Sequence, residues 1–153
     1  MNSLELDKKK IYEYQQNREP YLMIDYATEV IPGKSAKGYK DFNSEEWFFK
    51  VHWKNDPNVP GMLQIEALVQ MSALSILSLP GNKGKVVYLT NANNLKFLKK
   101  ITPNNRLIIE TKTKSFTRGI ASCEGVGIIG KQIACKADFN LVLPDEIKKY
   151  KVE

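Results

Sequence analysis

The sequence is poor in residues that hold metals. Among its 153 residues there is one histidine, His52, and there are two cysteines, Cys123 and Cys135. One imidazole and two distant thiols do not make a structural zinc site. No Gly-x-Ser-x-Gly elbow is present, and no dinucleotide fingerprint follows a strand. Gly81-Asn82-Lys83-Gly84-Lys85 reads as a turn and not as a phosphate cradle. No cofactor and no metal are expected, which leaves cofactor-free acid–base chemistry or simple binding. Long hydrophobic runs are missing as well. The most apolar stretch, Ala67–Leu79, is broken by Gln70 and three serines, and is too short and polar to span a bilayer. Met1–Lys10 is charged and does not read as a secretory signal. A cytoplasmic location is the expectation. In that reducing compartment the two cysteines are expected as buried free thiols, although a disulfide satisfies the arithmetic.

The composition is that of a globular chain, 42% hydrophobic and 26% charged, with a formal net charge of +6. A basic excess suits nucleic acid, an anionic membrane or an acidic protein partner. The lysines and arginines are spread, with small groups at Lys8–Lys10, Lys99–Lys100 and Lys148–Lys149, so a solvated basic surface is the first reading of them. No repeat, low-complexity segment or linker divides the chain. One domain over residues 1–153 is expected.

Hydrophobic periodicity gives the elements. Leu4–Tyr14 reads as an amphipathic helix. Tyr21–Ile31 and Ser35–Phe42 read as strands joined across the turn Pro32-Gly33-Lys34, and Asn43–Glu46 reads as the cap and first turn of a short helix. From Pro60 to Leu79 apolar residues cover nearly every face, which marks a helix buried on most sides, with Pro60 in its first turn. Lys85–Thr90 and Asn94–Phe97 read as one interrupted strand. Arg106–Thr117 follows as a strand, and Gly119–Ile129 and Lys131–Leu143 as a hairpin turning at Gly130. The pattern is α+β, with an antiparallel sheet around one buried helix.

Two side chains in this frame can carry chemistry. His52 sits in the aromatic stretch Trp47–Trp53, where it serves either as a structural or as a catalytic group. Glu66 lies inside the buried helix, where a carboxylate is costly unless paired or protonated, and burial raises its pKa toward that of a useful acid. Gln70 follows at i+4 on the same face. The residues by themselves leave open an inward-facing polar pair with no catalytic part.

The stretch from His52 to Gln70, with Pro60-Gly61, Glu66-Ala67 and Gln70 at fixed offsets, resembles the core motif of the bacterial (3R)-3-hydroxyacyl-acyl carrier protein dehydratases. The His52-to-Glu66 spacing of 14 residues is the family's own. Arg18–Asp25 is similar to the family's Arg-x-Pro strand, and Lys96–Pro103 to its basic-Phe-x-basic strand end. The likeness covers roughly residues 15 to 143. It departs at Val51–Asn55 and at Pro103-Asn104-Asn105, loops that shape the tunnel and its mouth.

The resemblance implies a hot-dog fold and the dehydration of 3-hydroxyacyl thioesters. It makes His52 the base and Glu66 the acid, the latter in the form of the plain dehydratases and not of the isomerising branch. Gly61, at the helix start, is expected to bind the thioester carbonyl through its N–H. Val59, Met62, Gln70 and Phe97 are expected to line the substrate site, and Lys99, Lys100 and Arg118 to dock the acidic carrier protein. A homodimer with shared active sites is implied, with a trimer of dimers as the alternative assembly and no nucleic acid as partner. Other hot-dog activities remain as alternatives, a thioesterase or a coenzyme A hydratase, as does a non-catalytic acyl-binding subunit.

Overall fold

The structure is a computed structural model that describes residues 2–152. Seven antiparallel strands form one sheet: β1 (Leu4–Leu6), β2 (Tyr26–Ile31), β3 (Ser35–Asp41), β4 (Tyr88–Phe97), β5 (Arg106–Thr117), β6 (Ile120–Ile129) and β7 (Gln132–Val142). Their order is β1-β2-β3-β5-β6-β7-β4, so β1 and β4 are the edges. The sheet curls around α2 (Gly61–Leu77), which packs on β2, β3, β5, β6 and β7. This is the hot-dog arrangement, and one hydrophobic cluster fills it.

The packing follows from small residues under a wide helix. In α2, thirteen of 17 residues are buried. Beneath it β6 and β7 carry small buried residues, Ala121, Cys123, Gly125, Gly127 and Ala137, and Leu68 of the helix packs over Gly125. At Gly38 the helix and the strand bend together so tightly that an added Cβ would lie 1.9 Å from the Tyr26 carbonyl oxygen and 2.7 Å from Met71. Any side chain there would force β2 and β3 apart. Both cysteines are free and buried; burial pushes the Cys135 thiol up to about 11.

Several local expectations are corrected. Leu4–Leu6 is a strand, paired with β2, and only Lys8–Tyr14 is helical (α1), because the Asp7 side chain accepts from the Lys10 N–H and starts the helix there. Arg18 closes α1 by donating to the carbonyls of Tyr12, Gln15 and Asn17. Strand β2 begins at Tyr26, five residues later than Tyr21. The stretch before it hydrogen-bonds to a side chain of α2 in place of a neighbouring strand, as described below. Asn43–Glu46 is a turn, and a 3-10 helix follows at Trp47–Lys50. Pro60 caps α2 from outside its first turn, so the helix starts at Gly61. β4 is continuous, with its irregularity absorbed between Asn93 and Lys96, where Asn94 has φ of 53°. A short helix, α3 (Pro144–Ile147), and a 3-10 turn close the chain.

Candidate active site

Glu66 projects from the second turn of α2 into a cleft of about 370 Å³. Gln70, one turn on, is 2% exposed and fully engaged. Its Nε2 donates to Glu66 Oε1 (2.9 Å) and to the Tyr21 carbonyl (3.0 Å), and its Oε1 accepts from the Met23 N–H (2.7 Å). This side chain takes the place of a strand partner for Tyr21–Met23. A second glutamine, Gln15, donates from Nε2 to the Gln70 carbonyl at 2.9 Å. Among the described residues, one Glu66 carboxyl oxygen accepts a hydrogen bond and the other none. Burial raises its pKa above the usual carboxylate value, against the opposing pull of the Gln70 amide. Burial thus favours the un-ionised form of this group.

His52 lies on the loop between the 3-10 helix and α2. Its Nδ1 is 3.0 Å from the Asn58 carbonyl oxygen. A carbonyl only accepts, so Nδ1 carries the hydrogen and the neutral ring keeps its lone pair on Nε2. The Trp53 ring, 62% exposed, lies against the imidazole at 5.6 Å.

A second cleft, of about 410 Å³, contains Asn58, Val59, Gly61, Gln64 and Phe97 and has Lys99 and Lys100 at its rim. Leu63 and Gln64 donate their N–H groups to the Pro60 carbonyl. Among the described residues no acceptor takes the Gly61 N–H, as is usual in a first helical turn. A Cβ on Gly61 would meet the Phe97 ring at 2.9 Å, so glycine is what lets this aromatic cover the helix start. Among the described residues no hydrogen bond joins His52 to Glu66, and the two clefts share no lining residue.

The relatives of this chain are enzymes by name. Residues 16–138 match the family model described as the FabA-like domain. The chain belongs to that family. The 3-hydroxyacyl-[acyl-carrier-protein] dehydratase FabZ of Clostridium novyi (strain NT) is 40% identical over 126 residues, which cover 82% of this chain and 84% of that protein. The protein of the same name from Bacillus subtilis (strain 168) is 33% identical, over 90% of this chain and 98% of that one. Among solved structures, the dehydratase heterocomplex ApeI:P from Xenorhabdus doucetiae superposes with a TM-score of 0.76 over 91% of this chain and 95% of that one. At 12% identity it attests the fold alone.

Within this FabA-like chain the structure separates the expected site residues into groups. Gln70 stands with Glu66; Val59, Phe97, Lys99 and Lys100 stand with Gly61. Val59 is buried wall, whereas Met62, 64% exposed, lines neither cleft. Lys99 donates to Gln132 and Lys100 is paired with Asp56. Arg118 lies at the opposite end of β6, in the two-residue turn it forms with Gly119, and its guanidinium stacks over Tyr150. A ten-residue strand, roughly 33 Å long, separates that turn from the Gln132 end. Gln15, Gln64, Ala73, Tyr88 and Leu89 line the clefts without having been anticipated. Helical spacing from Glu66 points to Ala73, at i+7, but Gln15 and β4 carry no local signal.

Proposed function

We propose that the protein removes water from (3R)-3-hydroxyacyl thioesters borne on acyl carrier protein, giving trans-2-enoyl thioesters. The observation that carries this reading is the Glu66 carboxyl, biased by burial toward its acid form and oriented by Gln70, 14 residues from an imidazole whose Nε2 is free.

In the reaction, His52 Nε2 takes a proton from C2 of the substrate. The electron pair of that C–H bond forms the C2=C3 double bond. Glu66 gives its proton to the C3 hydroxyl, which leaves as water. Negative charge that gathers on the thioester oxygen is met by the Gly61 N–H at the positive end of α2. The Asn58 carbonyl stabilises the transient imidazolium through Nδ1–H. Exchange of protons with solvent resets both groups.

The two clefts lie at opposite ends of one edge strand. Tyr88 and Leu89 begin β4 beside Glu66; Phe97 ends it beside Gly61. Among the described residues β4 has β7 on one side only, and it exposes Tyr88, Leu89, Leu95 and Phe97. Such an edge invites pairing. A two-fold axis that pairs β4 antiparallel with a second copy brings the start of one strand to the end of the other. His52 and Gly61 of one subunit then approach the partner's carboxyl, which is why the active form is a homodimer with two shared sites. Lys99 and Lys100, at the mouth of the Gly61 cleft, meet the acidic carrier protein.

The test is hydration of crotonyl thioester followed by loss of enoyl absorbance. His52→Ala and Glu66→Gln are each expected to lose ~10²–10⁴-fold in kcat/KM while melting within a few degrees of the parent. Wild-type turnover in either variant removes that residue's role. Light scattering should give a dimer or a multiple of one; a catalytically active monomer sinks the shared site. Salt should raise the KM for carrier-bound substrate far more than that for a small thioester analogue.

A further inference from the structure

Lys40 is 6% exposed, and no step of the proposed reaction uses its charge. The alternation of β3 turns Ala36, Gly38 and Lys40 to the inner face of the sheet. A cation in that position is costly unless it is paired. Its ammonium lies 3.4 Å from Asp25 Oδ1 and 3.1 Å from Glu46 Oε1, and both carboxylates are mostly shielded from solvent. A buried ion pair adds little stability over an apolar group of the same size. What this one does is join two segments.

Asp25 ends the Tyr21–Asp25 stretch that Gln70 holds to α2. Its Oδ2 accepts from the Asp41 N–H at 2.7 Å, and its Oδ1 from Lys8 at 2.6 Å, so it is fixed from several sides. Glu46 stands directly before the 3-10 helix Trp47–Lys50. Its carbonyl accepts from the Phe49 N–H, and the Phe48 carbonyl in turn accepts from the N–H groups of Val51 and His52. A second route ends at the same residue: the Lys40 ammonium lies 5.8 Å from the centre of the Phe42 ring, which meets Phe48 edge-on at 5.9 Å. Residues 43–58 contain no strand, so side chains must hold this stretch in place.

From this arrangement we infer that Lys40 is a positioning residue for His52: through Glu46, its ammonium pins the start of the short helix whose end fixes the imidazole. The inference rests on the dehydratase reading and deepens it. Proton abstraction needs the Nε2 lone pair within hydrogen-bond reach of the substrate, and a displacement of about 1 Å can cost ~10²-fold in rate. The Gly61 cleft has an anchor of its own, the Val59 N–H on the Ile101 carbonyl. Loosening the Lys40 end of the loop therefore acts on the chemical step and leaves substrate binding in place.

Glu46→Leu and Glu46→Gln are the decisive pair. The two side chains are close in size, and only glutamine keeps an oxygen for the Lys40 ammonium. In both variants Lys40 retains Asp25. The readouts are kcat and KM for hydration of crotonyl thioester, and the Cε1–Hε1 NMR correlation of the imidazole, a single signal because His52 is the sole histidine. Glu46→Leu is expected to lose at least about tenfold in kcat with KM within about twofold of the parent, and its imidazole signal should shift or broaden. Glu46→Gln is expected to keep at least about half of the parent's kcat, with an unmoved signal. Lys40→Met should reproduce Glu46→Leu. A parental kcat or a parental imidazole signal in folded Glu46→Leu overturns the tether, as does an equal loss in Glu46→Gln. If Glu46→Leu does not fold, Lys40→Met combined with Glu46→Leu, which replaces the ion pair by apolar groups, decides by the same readouts. Absence of hydration by the unmodified protein defeats the dehydratase reading; the imidazole signal then still decides whether Lys40 and Glu46 hold the ring.

Discussion

The two clefts beside α2 are built in different ways. Around Glu66 the fold of one chain completes the work: Gln70 is buried, every polar atom of its amide is bonded, and two segments that precede β2 hang on it. On the other side, the loop that carries His52 supplies one hydrogen bond to Asn58 and the outward-facing Val51 and Trp53, and the Gly61 cleft is covered by the half-exposed Phe97. The carboxyl is positioned by the core, and the imidazole by a surface loop. In the proposed reaction, a proton donor that must stay un-ionised gains from a dry, rigid setting, whereas a base that must meet substrate gains from access. The difference teaches that pre-organisation here is unequal, and substitutions can expose the inequality.

The largest effect is expected on stability at Gln70. Gln70→Ala strands the Met23 N–H and the Tyr21 carbonyl and should cost about 2–3 kcal/mol in urea unfolding, whereas Trp53→Ala on the His52 side should cost under about 0.5 kcal/mol. Equal costs would erase the contrast. Next comes Gly61→Ala. Its methyl group meets the Phe97 ring, which is 48% exposed and can swing away, so the cost should be about 1 kcal/mol. Adding Phe97→Ala should abolish most of that penalty; a double-mutant cycle with no coupling would show that the ring is not what demands glycine.

The smallest effect is a pH term. The folded pKa of Glu66 lies above its unfolded value. Its contribution to stability is therefore fully present below the unfolded value, near ~4.3, and is lost as pH rises through the higher folded value. Over that window the parent protein should lose stability relative to Glu66→Gln, and above it the difference should be constant. Parallel stability curves for the two proteins would mean that the carboxyl is not desolvated. Cys135, with its pKa pushed up to about 11, should resist thiol reagents at neutral pH until the chain unfolds.

Much of this was legible in the order of residues. The α2 helix was marked by apolar residues on all faces, the pair Glu66 and Gln70 by its i+4 spacing, and β5, β6 and β7 by alternation bounded with turns. Each of these signals is local, because burial on a helix or a two-faced strand imposes a period of its own. The Tyr21–Asp25 stretch looked like strand because its side chains are strand-like. Its backbone partners, however, are the Arg18 carbonyl, which accepts from the Tyr21 and Leu22 N–H groups, a glutamine amide from α2 and, through the Asp25 N–H, the Tyr39 carbonyl. The β4 edge gave no clean alternation, since an edge strand with both faces open imposes none.

The sequence by itself determined that a carboxyl and an amide share one face of a buried helix, and that one imidazole lies at a fixed distance along the chain before them. Only the tertiary structure decided that Glu66 and Gly61 line separate clefts at the two ends of β4, and that Phe97 covers Gly61. The physical reason is range. Periodicity records what each residue must do with its own apolar surface, whereas a cleft is made by walls tens of residues apart, whose meeting depends on how the sheet curls.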